Sequence, residues 1–141
     1  MDDVSTCIGI IGGILGCCSF VLQNVIFPKT SRKEHVKDML LQKSEDAFHS
    51  SYDYWVSPGS KEQKRNMETI VKKKLKEVTV YYTENKKIFG KNFDIINDNF
   101  IEFEKIATGG SFESTFSVQD GAFIEKMSDA YMKYRRSLSF V

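Results

Sequence analysis

An uncharged run near the N-terminus constrains this chain most. Val4 to Phe27 comprises 24 positions without a charged residue, preceded by Asp2-Asp3. At 1.5 Å per residue the run spans roughly 36 Å as a helix, which exceeds the roughly 30 Å hydrocarbon core of a bilayer. A core helix of a globular protein would carry a charged face over this length. The sequence therefore predicts a transmembrane helix within residues 1–28, followed by a second domain at residues 29–141.

The residues that flank this run predict its orientation. Lys29, Arg32, Lys33 and Lys37 follow the run, whereas the residues before it include acids and no base. Because Lys and Arg are retained on the cytoplasmic side, we expect a single-pass protein of the inner (cytoplasmic) membrane with its N-terminus outside and its body in the cytoplasm. An acidic leader also argues against a secretory signal peptide. A lipoprotein box at Ile14-Leu15-Gly16-Cys17 is an alternative, but it lacks a basic start and the apolar run continues beyond it.

Length and composition limit the rest of the chain. The predicted span leaves roughly 110 residues, enough for one compact domain. The formal net charge of +1 gives no overall signature of nucleic-acid binding, and we expect no DNA partner. All three cysteines, Cys7, Cys17 and Cys18, lie in the uncharged run. The body therefore has neither a disulfide framework nor a thiolate zinc site, which agrees with a reducing cytoplasm.

Small and polar residues form a stripe along the predicted span. Six of them recur at steps of four, three, four, three and four: Ser5, Gly9, Gly12, Gly16, Ser19 and Gln23. Asn24 directly follows the last of the six. This spacing places the six residues on one side of a helix. In lipid, small residues promote association because they let helix backbones approach closely. The stripe predicts self-association.

Two assemblies fit the stripe, and the pattern leaves both open. One is a tightly packed dimer, for which the overlapping G-x-x-x-G pairs Gly9/Gly13 and Gly12/Gly16 are sufficient. The other is a ring whose stripe lines a narrow channel, with Gln23 and Asn24 near its cytoplasmic mouth. A polar residue at membrane depth favours a partner or water, and this preference suits the ring.

Local signals divide the body into four helices. After Pro28, the capping-box pattern Ser31 to Glu34 predicts the start of a first helix. Ser57-Pro58-Gly59 ends it, and Ser60 with Gln63 caps the second helix. The third helix ends at Gly109-Gly110, residues 111–118 form a loop, and the fourth helix extends from about residue 120 to 137.

Each predicted helix has one apolar face. The positions are Val36, Met39, Leu40, Ala47, Phe48, Tyr52 and Trp55; then Met67, Ile70, Val71, Leu75, Val78 and Tyr82; then Phe89, Phe93, Ile96, Phe100, Phe103 and Ala107; and finally Phe123, Met127, Ala130, Tyr131, Tyr134 and Leu138. Four amphipathic helices joined by short turns predict an all-α fold in which an antiparallel four-helix bundle follows the transmembrane helix.

Charge is unevenly distributed along this body. Lys61 to Lys87 contains nine basic and four acidic residues, whereas Lys91 to Asp129 contains three basic and eight acidic residues. Two interpretations are open. The two regions are solvated faces of opposite sign, or the basic face of one subunit meets the acidic face of the next in a heterologous contact that closes a ring.

The sequence contains no recognisable catalytic motif. Its two histidines, His35 and His49, are fourteen residues apart, or roughly 21 Å along one helix, so they cannot share a metal ion within one subunit. The acidic row Asp94, Asp98 and Glu102 has the spacing of a hydrated helix face, and the lysines at 72–74 suit phosphate without specifying its source. We therefore predict a protein that is not an enzyme and has no catalytic residue, metal or cofactor.

The acidic leader, the single span and the four-helix body rich in Lys, Phe, Ile, Asn and Tyr resemble one family. This is the small membrane accessory protein of type VI-B CRISPR systems. The resemblance implies a ring-shaped pore that strengthens antiviral defence, a body similar to a divergent HEPN domain, and a CRISPR RNA-guided effector as a further partner. HEPN nucleases carry Arg, four to six residues and then His, whereas Arg32 is three positions before His35 and no Arg stands at that distance before His49. No catalytic residue is carried over.

Three functions follow from these patterns. The leading hypothesis is a homo-oligomeric membrane pore or membrane-perturbing effector, with the lipid bilayer and further copies of the chain as partners. The second is a membrane-anchored adaptor that recruits a cytoplasmic partner. The third is a membrane-tethered HEPN-like ribonuclease, which predicts RNA cleavage that depends on His35 or His49.

Overall fold

The computed structural model describes residues 27–109, 112 and 121–139. Its regular structure is helical throughout, with the long helices α1 (Phe27–Val56), α2 (Lys61–Glu84), α3 (Phe93–Ala107) and α4 (Gly121–Leu138). A single turn, Lys86–Phe89, and a 3-10 segment, Gly90–Asn92, join α2 to α3. Over these residues the predicted all-α class is confirmed. The chain divides into two compact units, Met1–His35 and Val36–Val141.

None of the helices in the described ranges is long and apolar enough to cross a membrane. The predicted transmembrane segment, residues 1–28, lies outside those ranges, apart from Phe27 and Pro28, which are the first two residues of α1.

The predicted start of α2 is confirmed in detail. The Ser60 side chain accepts a hydrogen bond from the Gln63 backbone N–H at 3.3 Å, and the Gln63 side chain accepts one from the Ser60 N–H at 2.8 Å. This reciprocal pair satisfies two donors that the first helical turn leaves without a partner. Residues 57–60 separate α1 from α2, as their Pro-Gly content predicts.

The predicted start of α1 at Ser31 is wrong. Ser31 and Glu34 lie inside α1, which begins at Phe27. A capping box starts a helix only where the preceding residues are not helical, and here they are. Pro28 is the second residue of α1, where its missing N–H removes no intrahelical bond, so proline is tolerated there.

The junction between α2 and α3 also differs from the prediction. Phe89 matches the apolar spacing of α3, but it lies on the separate turn that precedes Gly90. Gly90 adopts φ 55° and ψ −130°, a backbone conformation that residues with a Cβ rarely adopt. The chain therefore bends at Gly90, and α3 begins at Phe93, while Phe89 still reaches the core at 3% exposure.

Contacts within the Val36–Val141 unit show an antiparallel bundle. Between α3 and α4, the Phe103 ring meets Tyr131 at 5.5 Å and the earlier Phe100 ring meets the later Tyr134 at 5.3 Å between centroids, so these helices are antiparallel. Between α1 and α4, Phe48 stacks on Tyr131 at 4.4 Å and Trp55 meets Phe123 at 4.3 Å, again in opposite order.

The pairing of α1 with α2 completes the bundle. Lys74 Nζ lies 3.4 Å from Asp46 Oδ2, and the Lys43 ammonium lies 5.6 Å from the centre of the later Tyr81 ring. The order along α1 is opposite to the order along α2, so these two helices are antiparallel. The four-helix bundle predicted from the sequence is confirmed.

Most predicted core positions are buried, with instructive exceptions in α1 and α2. Ile70 is 51% exposed and Tyr52 is 39% exposed, contrary to prediction. In α1, Ser44, Ser51 and Tyr54 are fully buried instead. Serine serves at such positions because its hydroxyl bonds to the carbonyl four residues earlier, as Ser51 does with Ala47 at 2.8 Å.

Candidate functional site

The residues predicted to line a pore or a helix–helix interface lie outside the described part of the chain. They are Ser5, Gly9, Gly12, Gly16, Ser19, Gln23 and Asn24. The structure therefore bears on the surfaces of the bundle that could meet another copy.

A groove of about 390 Å³ lies between α1 and α2. Its lining contains three lysines and two glutamates around apolar side chains: Lys43, Lys73, Lys76, Glu77, Val80, Tyr81 and Glu84. Val80 is 44% exposed, and Ile70, just under three turns earlier on α2, is 51% exposed. We call Ile70, Lys73, Lys76 and Val80 the α2 surface.

An acidic surface of similar form lies on α3. Asp94, Asp98 and Glu102 are exposed and spaced by four residues, so they form one row along the helix. Ile95 is 58% exposed and Ile101 is 47% exposed, and helical spacing places one on each side of the row. We call these five residues the α3 surface. The core residues of α3 occupy the opposite side of the helix, so this surface faces away from the bundle.

The α3 surface keeps charge available for an external contact. Glu102 accepts a hydrogen bond from Lys133 at 2.6 Å within the subunit, but both side chains are about half-exposed. Such exposed pairs contribute only about 0–1 kcal/mol, so they exchange readily for another partner. Among the described residues, no basic side chain forms a salt bridge with Asp94 or Asp98.

The two histidines lie on the exposed side of α1. His49 Nε2 is 3.9 Å from Glu45 one turn earlier, and its ring meets the edge of Phe48. His35 is exposed and lies in the other compact unit. Among residues 27–109, 112 and 121–139, no three or more His, Cys, Asp or Glu side chains are grouped as metal ligands.

A polar cluster that the sequence analysis missed closes the end of α1. The Tyr54 hydroxyl donates to Glu68 Oε1 at 3.2 Å, and the Lys64 ammonium donates to the Tyr54 carbonyl and lies 4.7 Å from the Tyr54 ring centre. Burial, together with the Glu68 carboxylate, raises the pKa of Tyr54 to about 12. Burial also lowers the pKa of Lys64. The cluster ties α1 to α2, and its sequence signal is the Lys64/Glu68 pair, one turn apart.

A second missed feature is a buried hydrogen bond between α1 and α4. Ser44 Oγ and the Tyr134 hydroxyl oxygen are 3.0 Å apart, and Ser44 Oγ also lies 2.6 Å from the Leu40 carbonyl oxygen. Because Ser44 has a single hydroxyl proton, which it donates to Leu40, Tyr134 donates to Ser44. Burial raises the pKa of Tyr134. The pair fixes the register of the two helices.

No protein-family model, curated protein sequence or solved structure matches this chain.

Proposed function

We propose that this protein is a homo-oligomeric membrane pore or membrane-perturbing effector that acts in antiviral defence by depolarising the membrane. The observation that carries the proposal is the 24-residue uncharged run Val4 to Phe27, with its stripe of small and polar residues. Such a stripe suits contact with copies of itself in lipid, where close backbone approach replaces the hydrophobic drive to associate. The proposal places the bundle in the cytoplasm at the inner membrane.

The bundle contributes two surfaces suited to a ring. The α2 surface offers Lys73 and Lys76 beside exposed apolar side chains, and the α3 surface offers Asp94 and Asp98 beside exposed isoleucines. The two surfaces differ, so a contact between them on neighbouring copies is heterologous, which is the type of contact that closes into a ring. Opposite charge favours this pairing over like-with-like contacts.

Membrane potential in cells tests the pore. We expect expression to dissipate the potential, and Gly12→Leu or Gly16→Leu to abolish this effect because a bulky side chain on the stripe separates the helices or blocks the opening. Cys18→Leu is the control, since it places the same leucine side chain on the other side of the predicted span. An unchanged potential with the wild-type chain, or equal activity of the stripe and control variants, contradicts the proposal.

Charge reversal tests the ring contact. Lys73→Glu with Lys76→Glu should shift the detergent-solubilised particle toward smaller species, because two attractive contacts become repulsive. Adding Asp94→Lys and Asp98→Lys should restore the original size. Lys61→Glu with Lys126→Glu, exposed lysines outside both surfaces, is the control. Restoration that fails, or a control with the same effect, contradicts this interface.

The exposed isoleucines of the α3 surface also favour a second candidate, a membrane-anchored adaptor that recruits a cytoplasmic partner such as a CRISPR RNA-guided effector. Ile95 and Ile101 beside an acidic row suit a basic, partly apolar partner surface. Replacing residues 4–27 with an unrelated transmembrane helix separates the candidates. An adaptor keeps its activity after this exchange, whereas a pore loses it.

A further inference from the structure

A second groove, between α1 and α4, has no part in the contacts described above. It has a volume of about 280 Å³, and its lining combines three cations with three apolar side chains and one serine: Lys37, Arg135, Arg136, Leu41, Met132, Leu138 and Ser139. Among residues 27–109, 112 and 121–139, no acidic residue lines it. The α1/α2 groove, by contrast, mixes lysines with two glutamates.

The groove lies at one particular end of the Val36–Val141 bundle. Lys37 is the second residue of this unit, and Arg135, Arg136 and Leu138 form the last turn of α4. The antiparallel arrangement brings the turn between α2 and α3 to the same end, with its exposed Lys86, Lys87 and Lys91. We call this the Lys37 end. It is the end at which the chain arrives from the predicted transmembrane helix.

The side chains of the groove present two kinds of chemistry side by side. Leu138 is fully buried and Leu41 is half-buried, so they form an apolar floor, and Met132 is 43% exposed at the side. Arg135 and Arg136 are exposed above this floor. An arginine guanidinium binds two phosphate oxygens at once through its planar fork, and a lysine adds a point charge. The matching ligand has a phosphate joined to an apolar part.

We infer that this groove binds the headgroup of an anionic phospholipid, with the phosphate against Lys37, Arg135 and Arg136 and the glycerol and first acyl carbons against Leu41 and Met132. Basic residues next to a membrane are attracted to anionic lipids, each by enough to change affinity several-fold. The inference rests on the proposed membrane location of the bundle and adds a ligand to it: headgroup binding would hold the Lys37 end against the cytoplasmic leaflet.

Two observations favour a lipid over RNA, the other common phosphate-bearing ligand. None of the described residues that line the groove is aromatic, whereas sites for single-stranded RNA generally stack bases on aromatic rings. The apolar floor has no counterpart in a phosphodiester backbone. A free phosphate would likewise leave the floor uncovered.

Calorimetric titration of the 141-residue chain in a neutral detergent tests the inference. The probes are short-chain phosphatidylglycerol, short-chain phosphatidylcholine, glycerol 3-phosphate and a ten-nucleotide RNA. We expect phosphatidylglycerol to bind at least tenfold more tightly than the other three, and its affinity to fall as salt screens the cations. Arg135→Gln with Arg136→Gln should weaken this binding about tenfold or more.

Lys61→Gln with Lys126→Gln is the matched control, because it removes two exposed charges that lie outside the groove and outside both proposed contact surfaces; its affinity for phosphatidylglycerol should match the wild type. A circular-dichroism melt checks the fold of each variant. If the double arginine variant is unfolded, Lys37→Gln on α1 replaces it as the test of the groove. Equal binding of the two lipids, equal binding of glycerol 3-phosphate, preference for RNA, or an unaltered affinity in the groove variants overturns the inference.

Failure of this inference is distinguishable from failure of the proposed pore. Lipid titration in detergent reports on the groove whether or not the chain permeabilises a membrane. Membrane potential in Gly12→Leu cells reports on the predicted span whether or not the groove binds lipid. Depolarisation without phosphatidylglycerol binding overturns the groove alone, and binding without depolarisation overturns the pore alone.

Discussion

The two ends of the bundle are built differently. At the far end from Lys37, which we call the Trp55 end, the indole N–H of Trp55 donates to the Ala107 carbonyl at 3.0 Å, and Phe123 packs against the indole at 4.3 Å. Phe112 and Tyr54 extend this aromatic cluster, with ring centroids 4.7 Å apart. At the Lys37 end, exposed cations surround a partly apolar groove. One end is closed by packing, and the other presents charge and apolar surface outward.

This difference concentrates stabilising contacts at one end and leaves the other end available for the proposed lipid binding. Aromatic side chains that are buried and hydrogen-bonded contribute several kcal/mol each, whereas exposed basic side chains contribute little to folding. The exposed residues of the Lys37 end can therefore be substituted with small losses of stability.

Trp55→Ala should lower the free energy of unfolding by about 3–5 kcal/mol, because it leaves a cavity in the aromatic cluster and removes the donor to Ala107. Met132→Ala at the Lys37 end should cost under about 1 kcal/mol, since that side chain is 43% exposed. Urea unfolding of both variants measures the contrast. Equal losses at the two ends would contradict the division.

The sequence predicts those features of the bundle that depend on residues close together along the chain. The capping box at Ser60 and Gln63 and the break at residues 57–59 act within a few residues, and the structure confirms them. The regular spacing of Phe93, Phe100 and Phe103 likewise predicts their burial, because one helix face determines it.

Features that join distant residues were not predictable from one sequence. The α1/α4 groove combines Lys37 and Leu41 with side chains from the last two turns of α4, and nothing local indicates that they meet. Ser44 and Tyr134 are ninety positions apart. The continuous α1 shows the reverse case, since a strong local start signal at Ser31 is overridden when the preceding residues are already helical.

The Ser44–Tyr134 hydrogen bond lies between the two ends of the bundle. Substitutions of its two residues should show strong energetic coupling. Ser44→Ala leaves the buried Tyr134 hydroxyl without its acceptor and should cost about 1–3 kcal/mol, and Tyr134→Phe should cost about 1 kcal/mol. The double variant should lose clearly less than the two single losses combined, because neither group is then left unsatisfied. Additive losses in chemical unfolding would show that the two hydroxyls do not depend on each other.

Tyr54 should make the Trp55 end sensitive to alkali. Its pKa in the folded protein is raised to about 12, so the folded state favours the neutral hydroxyl. This contribution to stability is complete below pH 10, the ordinary pKa of tyrosine, and is lost as pH rises from 10 to 12. In Tyr54→Phe we expect a smaller fall in stability between pH 9 and 11. The variant should keep part of the fall, because burial also raises the pKa of Tyr82 and Tyr131.

An identical pH dependence in wild type and Tyr54→Phe would show that Tyr54 titrates in the folded state as it does in the unfolded state. A steeper fall of stability with pH in the variant would show that folding lowers the pKa of Tyr54 instead of raising it. Tyr52→Phe is the control, since Tyr52 is 39% exposed on the same helix.

The most direct test of the account is the mass of the particle that the 141-residue chain forms in a neutral detergent, measured by light scattering with the detergent contribution subtracted. One copy has a mass of 16.2 kDa. A membrane-embedded ring requires a protein mass of several times this value, with the chain recovered in the membrane fraction before extraction. A 16.2 kDa monomer that remains in the aqueous fraction without detergent would contradict the account.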